Sequence, residues 1–296
     1  MTLAEKRLDA FEYLFQGIQD DYFKGYAFWK YVKSKGIEMF HIYDPDPKEM
    51  VRKISKIKND FIEFASKLVT EYHTLFNSKY KETLEYVNKL EKATGIKLSQ
   101  QMKIALNIIR MEIGDLPIVT KAEMDKLKEH VKNLIEYLKT LPSDKRYIDE
   151  RTKISDELLL SFIIIGKKFG YDPLLLLIIG ARESSLNNKA NSGYAIGISQ
   201  QTFFGAFPYY FHPKNNIKIP ILLPTMYSDI KKDFPDIYSI YAMALTLENK
   251  KLEKKTNDIW EVIFYYKSSN TPTSQEYANE IKTIYEKLLK RNKKIS

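Results

Sequence analysis

Apolar residues recur at three- and four-residue steps along most of the first half of this chain. In EMVRKISKIKNDFIEFASKLVTEYHTLF they fall at Val51, Ile54, Ile57, Phe61, Phe64, Leu68, Tyr72 and Leu75, one face of a long helix. KYKETLEYVNKLEKAT and AEMDKLKEHVKNLIEYLKTL repeat the period. Breaks are expected at YDPDP (43–47), at Gly95 and at GDLP (114–117), where proline and glycine interrupt a helix. An α-hairpin or bundle follows. Packing alone accounts for the stripes, and docking of a protein partner is the other use such faces have.

The polar stretch TLPSDKRYIDERTKIS (140–155) carries a Leu-Pro break and is the expected boundary between residues 1–150 and 151–296. Beyond it, Ser155-Asp156-Glu157 can cap a helix running to about Phe169, with Gly170 as its stop. Asp172 caps the next helix, and Pro173 takes its first position, where a missing N–H costs nothing. LLLLIIGAR is apolar nearly all round, which marks this second helix as a buried one. Strand-type alternation of any length is absent from the sequence. The chain reads as all-α, with an amino-terminal helical domain (1–150) preceding a second domain (151–296) that is expected to fold alone.

Composition places the chain among globular proteins: 296 residues, 44% hydrophobic and 29% charged, with ample material for a core. There is no cysteine, so disulfides and thiolate metal sites are excluded. His41, His73, His130 and His212 lie far apart and form no zinc-type spacing, so a metal centre is not expected. The formal charge of +9 is uneven. Residues 1–150 hold 26 Lys and Arg against 24 Asp and Glu (+2), and residues 151–296 hold 21 against 14 (+7). A basic second half suits an anionic partner such as cell-wall polymer, nucleic acid or a membrane surface; a solvated, lysine-rich surface is the plainer explanation. No helix-turn-helix, zinc or RNA-binding motif is present, so nucleic acid is not the expected partner. No apolar run approaches the roughly 20 residues needed to span a bilayer. MTLAEKRLDAFEYLF has charges where a signal peptide needs its apolar centre, so the chain as written is expected to be soluble and without an export signal.

The candidate chemistry lies in ARESSLNNKANSGYAIGISQQT (181–202), where Glu183 falls in about the last turn of the buried helix. Desolvation by apolar walls and the negative end of the helix dipole both favour a protonated carboxyl there. Arg182 is adjacent in sequence, but consecutive helical residues do not face each other. A carboxyl kept protonated is the donor that a glycosidic oxygen needs. The bland alternative is an exposed glutamate at a fraying helix end.

GYDPLLLLIIGARESSLNNKANSGYAIGISQ resembles the lytic transglycosylase family, whose lysozyme-like domain is related to goose-type lysozyme. The family pattern is an apolar helix ending in Glu-Ser, then Asn or Asp, Ala, Ser, and Ala-x-Gly-x-x-Gln. Here these fall at Glu183-Ser184, Asn187, Ala190, Ser192 and Ala195 to Gln200, with the stretch from Ser192 to Gln200 one residue shorter than usual. PDIYSIYAMALTLENKK resembles the family's Asp-Pro-x-x-Asn-Ile helix. DIWEVIFYYKSSNTPTSQEYANEIKTIYEKL resembles its Ala-Tyr-Asn-Ala-Gly segment and closing helix. Tyr266 then takes the family's tyrosine position, with Tyr265 the alternative by one slip, and Lys267 and Ser269 replace the usual Asn and Gly. The resemblance covers about residues 154–290 and leaves 1–150 unassigned.

The resemblance implies a lysozyme-like domain that cleaves the β-1,4 bond between N-acetylmuramic acid and N-acetylglucosamine in peptidoglycan glycan strands, forming a 1,6-anhydro end. It implies Glu183 as the single catalytic acid and base, and Ser192, Gln200 and Tyr266 as substrate-binding residues. No cofactor is required. A hydrolysing muramidase with the same site, or a non-catalytic peptidoglycan-binding scaffold, are the other readings. Between Glu183 and Pro224 there is no further Asp or Glu, so a second acid would come from Asp229 or beyond, such as Glu248. The aromatic segment Phe203 to Phe211 fits a saccharide wall or simple core filling. The substrate implies the periplasm or cell wall as destination.

Overall fold

The structure, a computed structural model, describes residues 69–190, 195–202, 234–267 and 272–292. Within them the chain forms α1 (Val69–Thr94), α2 (Gln100–Ile113), α3 (Lys121–Lys139), a 3-10 turn at Ser143–Lys145, α4 (Asp156–Phe169) and α5 (Pro173–Ser184). A hairpin of β1 (Ala195–Ile196) and β2 (Gln201–Thr202) follows, then α6 (Asp236–Lys254), α7 (Ile259–Tyr266) and α8 (Pro272–Asn292). The described residues are mainly helical, with one antiparallel pairing of Ala195 with Thr202 and Ile196 with Gln201. Strands of two residues are too short to leave an alternation in the sequence. None of the described helices is long and apolar enough to cross a membrane.

The helix ends fall at the punctuation in the sequence. Ser155 Oγ accepts a hydrogen bond from the Leu158 N–H (3.0 Å) at the head of α4. Gly170 closes that helix in the left-handed region at φ 75°, where a Cβ would be strained. Asp172 Oδ1 accepts from the Leu174 N–H (2.9 Å), with Pro173 opening α5. α1 ends before Gly95 and α2 before Gly114, at the expected breaks. Thr120 and Glu123 form a reciprocal capping box at the start of α3.

Every residue from Leu158 to Gly166 in α4, from Leu174 to Ala181 in α5 and from Ile237 to Leu247 in α6 is buried. Helices buried on every face need neighbours on every face. α4 finds them in α3, α5 and α6. The partners on one side therefore come from before residue 150. Leu90, Leu106, Ile109, Leu134 and Leu138 belong to the same hydrophobic cluster as Phe162, Leu176 and Ile281. The core is thus continuous across the polar stretch 140–155, where the sequence suggests a division. Polar ties cross it as well. Glu157 accepts from the Ser99 N–H and from Ser99 Oγ (3.0 Å), Lys167 pairs with Glu123 (2.6 Å), and Lys168 donates to the Asp115 carbonyl (2.7 Å). These ties are partly exposed and add little; the apolar packing carries the association. The expected stripe from Val51 to Leu68 lies outside the described residues, and Leu75, its last member, packs half-buried against the core.

Candidate active site

α5 is held on all sides by apolar neighbours, which aims its last turn at one place. After Ser184 the chain reverses through two left-handed residues, Ser185 (φ 56°) and Leu186 (φ 61°). That conformation is uncommon for residues with side chains. Burial of Leu186 and hydrogen bonds from Ser185 N to the Ala181 carbonyl (2.9 Å) and from Leu186 N to the Gly180 carbonyl (3.4 Å) offset it. The hairpin then returns across the end of α5: Ser184 Oγ donates to the Ile198 carbonyl (2.8 Å). On its other side it is pinned to α6. The Ser199 N–H donates to Ser239 Oγ (3.0 Å) and Ser199 Oγ donates to the Ser239 carbonyl (2.9 Å).

Gly197 makes this close approach feasible. Its φ is 72°, and a Cβ there would sit 2.6 Å from Ser239 Oγ. Gly197→Ala combines left-handed strain with a steric overlap and should destabilise the protein by about 1–3 kcal/mol. A denaturant midpoint lowered relative to the parent, with an unchanged m-value, is the expected result; an unchanged midpoint would show that the turn is free to shift.

Glu183 lies in the last turn of α5 with only 9% of its side chain exposed. Its Oε1 is buried and has no hydrogen-bond partner among the described residues. Its Oε2 is 3.8 Å from Lys267 Nζ at the end of α7. Tyr277 of α8, 2% exposed, turns its hydroxyl toward this carboxylate without reaching hydrogen-bond geometry. Burial pushes the Tyr277 phenol well above its ordinary value, and the Glu183 carboxylate and Tyr266 push it the same way. Tyr277 therefore stays a neutral O–H in the working pH range.

Arg182 pairs with Glu280 and not with Glu183. Its Nε is 2.9 Å from Glu280 Oε2, and its guanidinium stacks over the Tyr147 ring (4.9 Å) and lies 5.7 Å from the centre of the Tyr277 ring. Glu280 also accepts from the Tyr147 hydroxyl. The cation beside Glu183 is Lys267, which the sequence marks only as a substitution.

Of the expected binding residues, Tyr266 is buried, and its hydroxyl donates to the Ser199 carbonyl (3.2 Å) in the hairpin turn. Tyr265 instead packs edge-on against Phe264 and lies under Lys254 Nζ (4.6 Å). Tyr266 is therefore the member of the pair that reaches the hairpin. Gln200 adopts φ 46°, and its Nε2 donates to the Ala190 (2.9 Å) and Gly197 (3.0 Å) carbonyls. Both amide hydrogens are spent on the backbone, so this side chain shapes the turn and leaves only its carbonyl oxygen for other contacts. Ser192 lies outside the described residues, as does the aromatic segment Phe203 to Phe211. The structure thus gathers Glu183, Tyr266 and the Gln200 turn around the end of α5, and adds Lys267 and Tyr277. The signal for Tyr277 was present in the sequence. It sits on the buried stripe Ser274, Tyr277, Ile281, Ile284 and Leu288, a polar-tipped ring among apolar positions.

Other carboxylates are engaged elsewhere. Glu248 accepts from the Tyr171 hydroxyl (2.6 Å) and pairs with Lys251 (2.8 Å). Tyr171 precedes α5 and Glu183 ends it, roughly 18 Å apart along the helix axis. Asp236, at the head of α6, is pushed up by burial, while the Asn188 side chain opposes that shift. It lines a cavity of about 540 Å³ with Ser185, Leu186, Asn187 and Asn188, whose wall does not include Glu183. Asp229 is outside the described residues. Among the described residues no three His, Asp or Glu side chains form a metal set. What the site offers is one buried carboxyl with a loosely held cation and a neutral phenol beside it. Comparison with protein-family models, curated proteins and solved structures finds no match for the chain.

Proposed function

We propose that this protein is a peptidoglycan lytic transglycosylase in which Glu183 serves alone, first as acid and then as base. The observation that carries the reading is the buried Glu183 Oε1 at the end of α5, which makes no hydrogen bond among the described residues. The ordered Glu-Ser to Gln motif around it supplies the substrate class by resemblance, with a lysozyme-like domain as its setting. Glycosidases that work with two carboxylates place them on either side of the scissile bond; a single carboxylate calls for help from the substrate.

In the proposed reaction Glu183 protonates the oxygen joining N-acetylmuramic acid to N-acetylglucosamine, and the C1–O bond breaks. The acetamido oxygen of the muramic sugar closes on C1 and carries the positive charge. Glu183, now a carboxylate, takes the proton from the 6-hydroxyl of the same sugar. O6 attacks C1, displaces the acetamido oxygen and closes the 1,6-anhydro ring. No water is consumed and no cofactor enters. Ser192, Gln200 and Tyr266 are the residues assigned to hold the sugar, Gln200 and Tyr266 in part by fixing the hairpin turn. The +7 charge of residues 151–296 suits an anionic wall polymer. The substrate puts the site of action in the periplasm or cell wall.

Intramolecular attack is favoured because O6 is tethered to the reacting sugar, so its effective molarity far exceeds that of a free nucleophile. Mass spectrometry of digested peptidoglycan tests the proposal. The expected ends are lighter by one water than reducing ends and resist borohydride. If every new end is reducible, the protein is a muramidase; if strands are bound and never cut, it is a binding protein.

A further inference from the structure

We infer that Lys267 is a specificity lock: it occupies Glu183 until a carboxylate carried by the saccharide draws the ammonium away, which restricts the site to anionic glycans. The inference rests on the reaction proposed above and names the class of substrate it accepts.

Three observations lead to it. The first is the pairing itself. Lys267 caps α7, its backbone N–H bonded to the Tyr265 carbonyl, so the root of the side chain is fixed while its four-carbon stem is not. Nζ stands 3.8 Å from Glu183 Oε2 and 5.4 Å from the centre of the Tyr277 ring, with 41% of the side chain exposed. This is a loose ion pair with one solvated partner, the kind that exchanges readily for another carboxylate. The second is what the pair occupies. Nζ faces Oε2 of the carboxyl assigned to the chemistry, so a sugar oxygen approaching that oxygen competes with the ammonium for it.

The third is that no other described carboxylate pairs with Lys267. Glu280, on the neighbouring turn of α8, is already held by Arg182 and Tyr147. A ligand that carries an anion beside the bond to be cut supplies the partner that draws the ammonium off. The lactyl side chain of muramic acid presents a carboxylate there when free, and when substituted it carries a peptide with carboxylates of its own. A neutral glycan of N-acetylglucosamine alone presents none.

The experiment compares the full chain with Lys267→Met and Lys267→Asn, using Lys81→Met, an exposed position on α1, as a control for the lost charge. Each is given three forms of glycan strand: strands with intact peptides, strands stripped to free lactyl carboxylates, and intact strands whose carboxylates have been converted to amides. Both affinity and kcat/KM are measured. The parent and Lys81→Met should prefer a carboxylate-bearing strand over the amidated one by about tenfold, the scale of one charge-assisted contact. Both Lys267 variants should lose that preference, in part because cleavage of amidated strands becomes faster. Preference for intact strands over stripped ones places the recognised carboxylate in the peptide; the reverse places it on the lactyl group. Equal rates on charged and amidated strands by the parent, or a preference that survives in the Lys267 variants, overturns the lock and leaves the reaction standing. A Lys267-dependent difference in binding with no turnover by any form overturns the reaction and keeps Lys267 as a carboxylate anchor.

Discussion

Glu183→Gln keeps the fold and lowers turnover of purified peptidoglycan by at least about 100-fold, the effect expected for removing a general acid. The substitution is nearly isosteric and falls where the side chain is 9% exposed, so packing around α5 is preserved. It replaces a carboxyl by a carboxamide that cannot protonate a leaving oxygen or recover a proton afterwards. Stability should hold or rise slightly. Oε1 makes no hydrogen bond among the described residues, and the pair with Lys267 is long and half solvated, so little native-state interaction is lost. Circular dichroism and a denaturant midpoint establish the fold, and release of soluble muropeptides measures the rate. A folded variant that solubilises peptidoglycan at near-parent rate would remove Glu183 from the chemistry and with it the proposed function.

Residues 151–296 expressed alone should fail to form a cooperative native state, against the expectation raised by the polar stretch at 140–155. The reason lies in the faces that such a cut uncovers. α4 is buried from Leu158 to Gly166, and α3, which packs against it, buries Met124, Leu127, Leu134 and Leu138 in the shared core. α2 adds Leu106 and Ile109 to the same cluster. Each large apolar side chain returned to water forfeits about 1.5–3 kcal/mol. Several together exceed the total stability of about 5–15 kcal/mol that a domain of this kind holds. The fragment should bind a hydrophobic dye, lack near-ultraviolet dichroism and unfold without a sharp transition. A soluble fragment with dispersed NMR resonances and a sharp thermal transition would show that the α4 face closes by itself and would restore the division at residue 150.

The helix starts and stops were legible because they are local. Ser155, Asp172, Pro173 and Gly170 act on backbone groups two to four residues away, so their positions in the chain specify the ends of α4 and α5 without reference to anything distant. The burial of α5 was legible for a related reason: LLLLIIGAR leaves no polar face to turn outward. From these two facts alone follows a single carboxylate carried to the end of a buried helix, and that much of the candidate site belongs to the sequence. The company Glu183 keeps does not. Lys267 and Tyr277 approach it from more than eighty residues away along the chain, and no local rule selects Lys267 over the adjacent Arg182 as the cation beside it. Gln200 could not be recognised as a backbone staple before the turn it staples existed. The shared core was hidden for the most general reason. Hydrophobic attraction has no direction, so an apolar stripe states that a face will be buried but not against which partner. Only the packed tertiary structure decides that α3 closes over α4, and that Lys267 comes to rest beside Glu183.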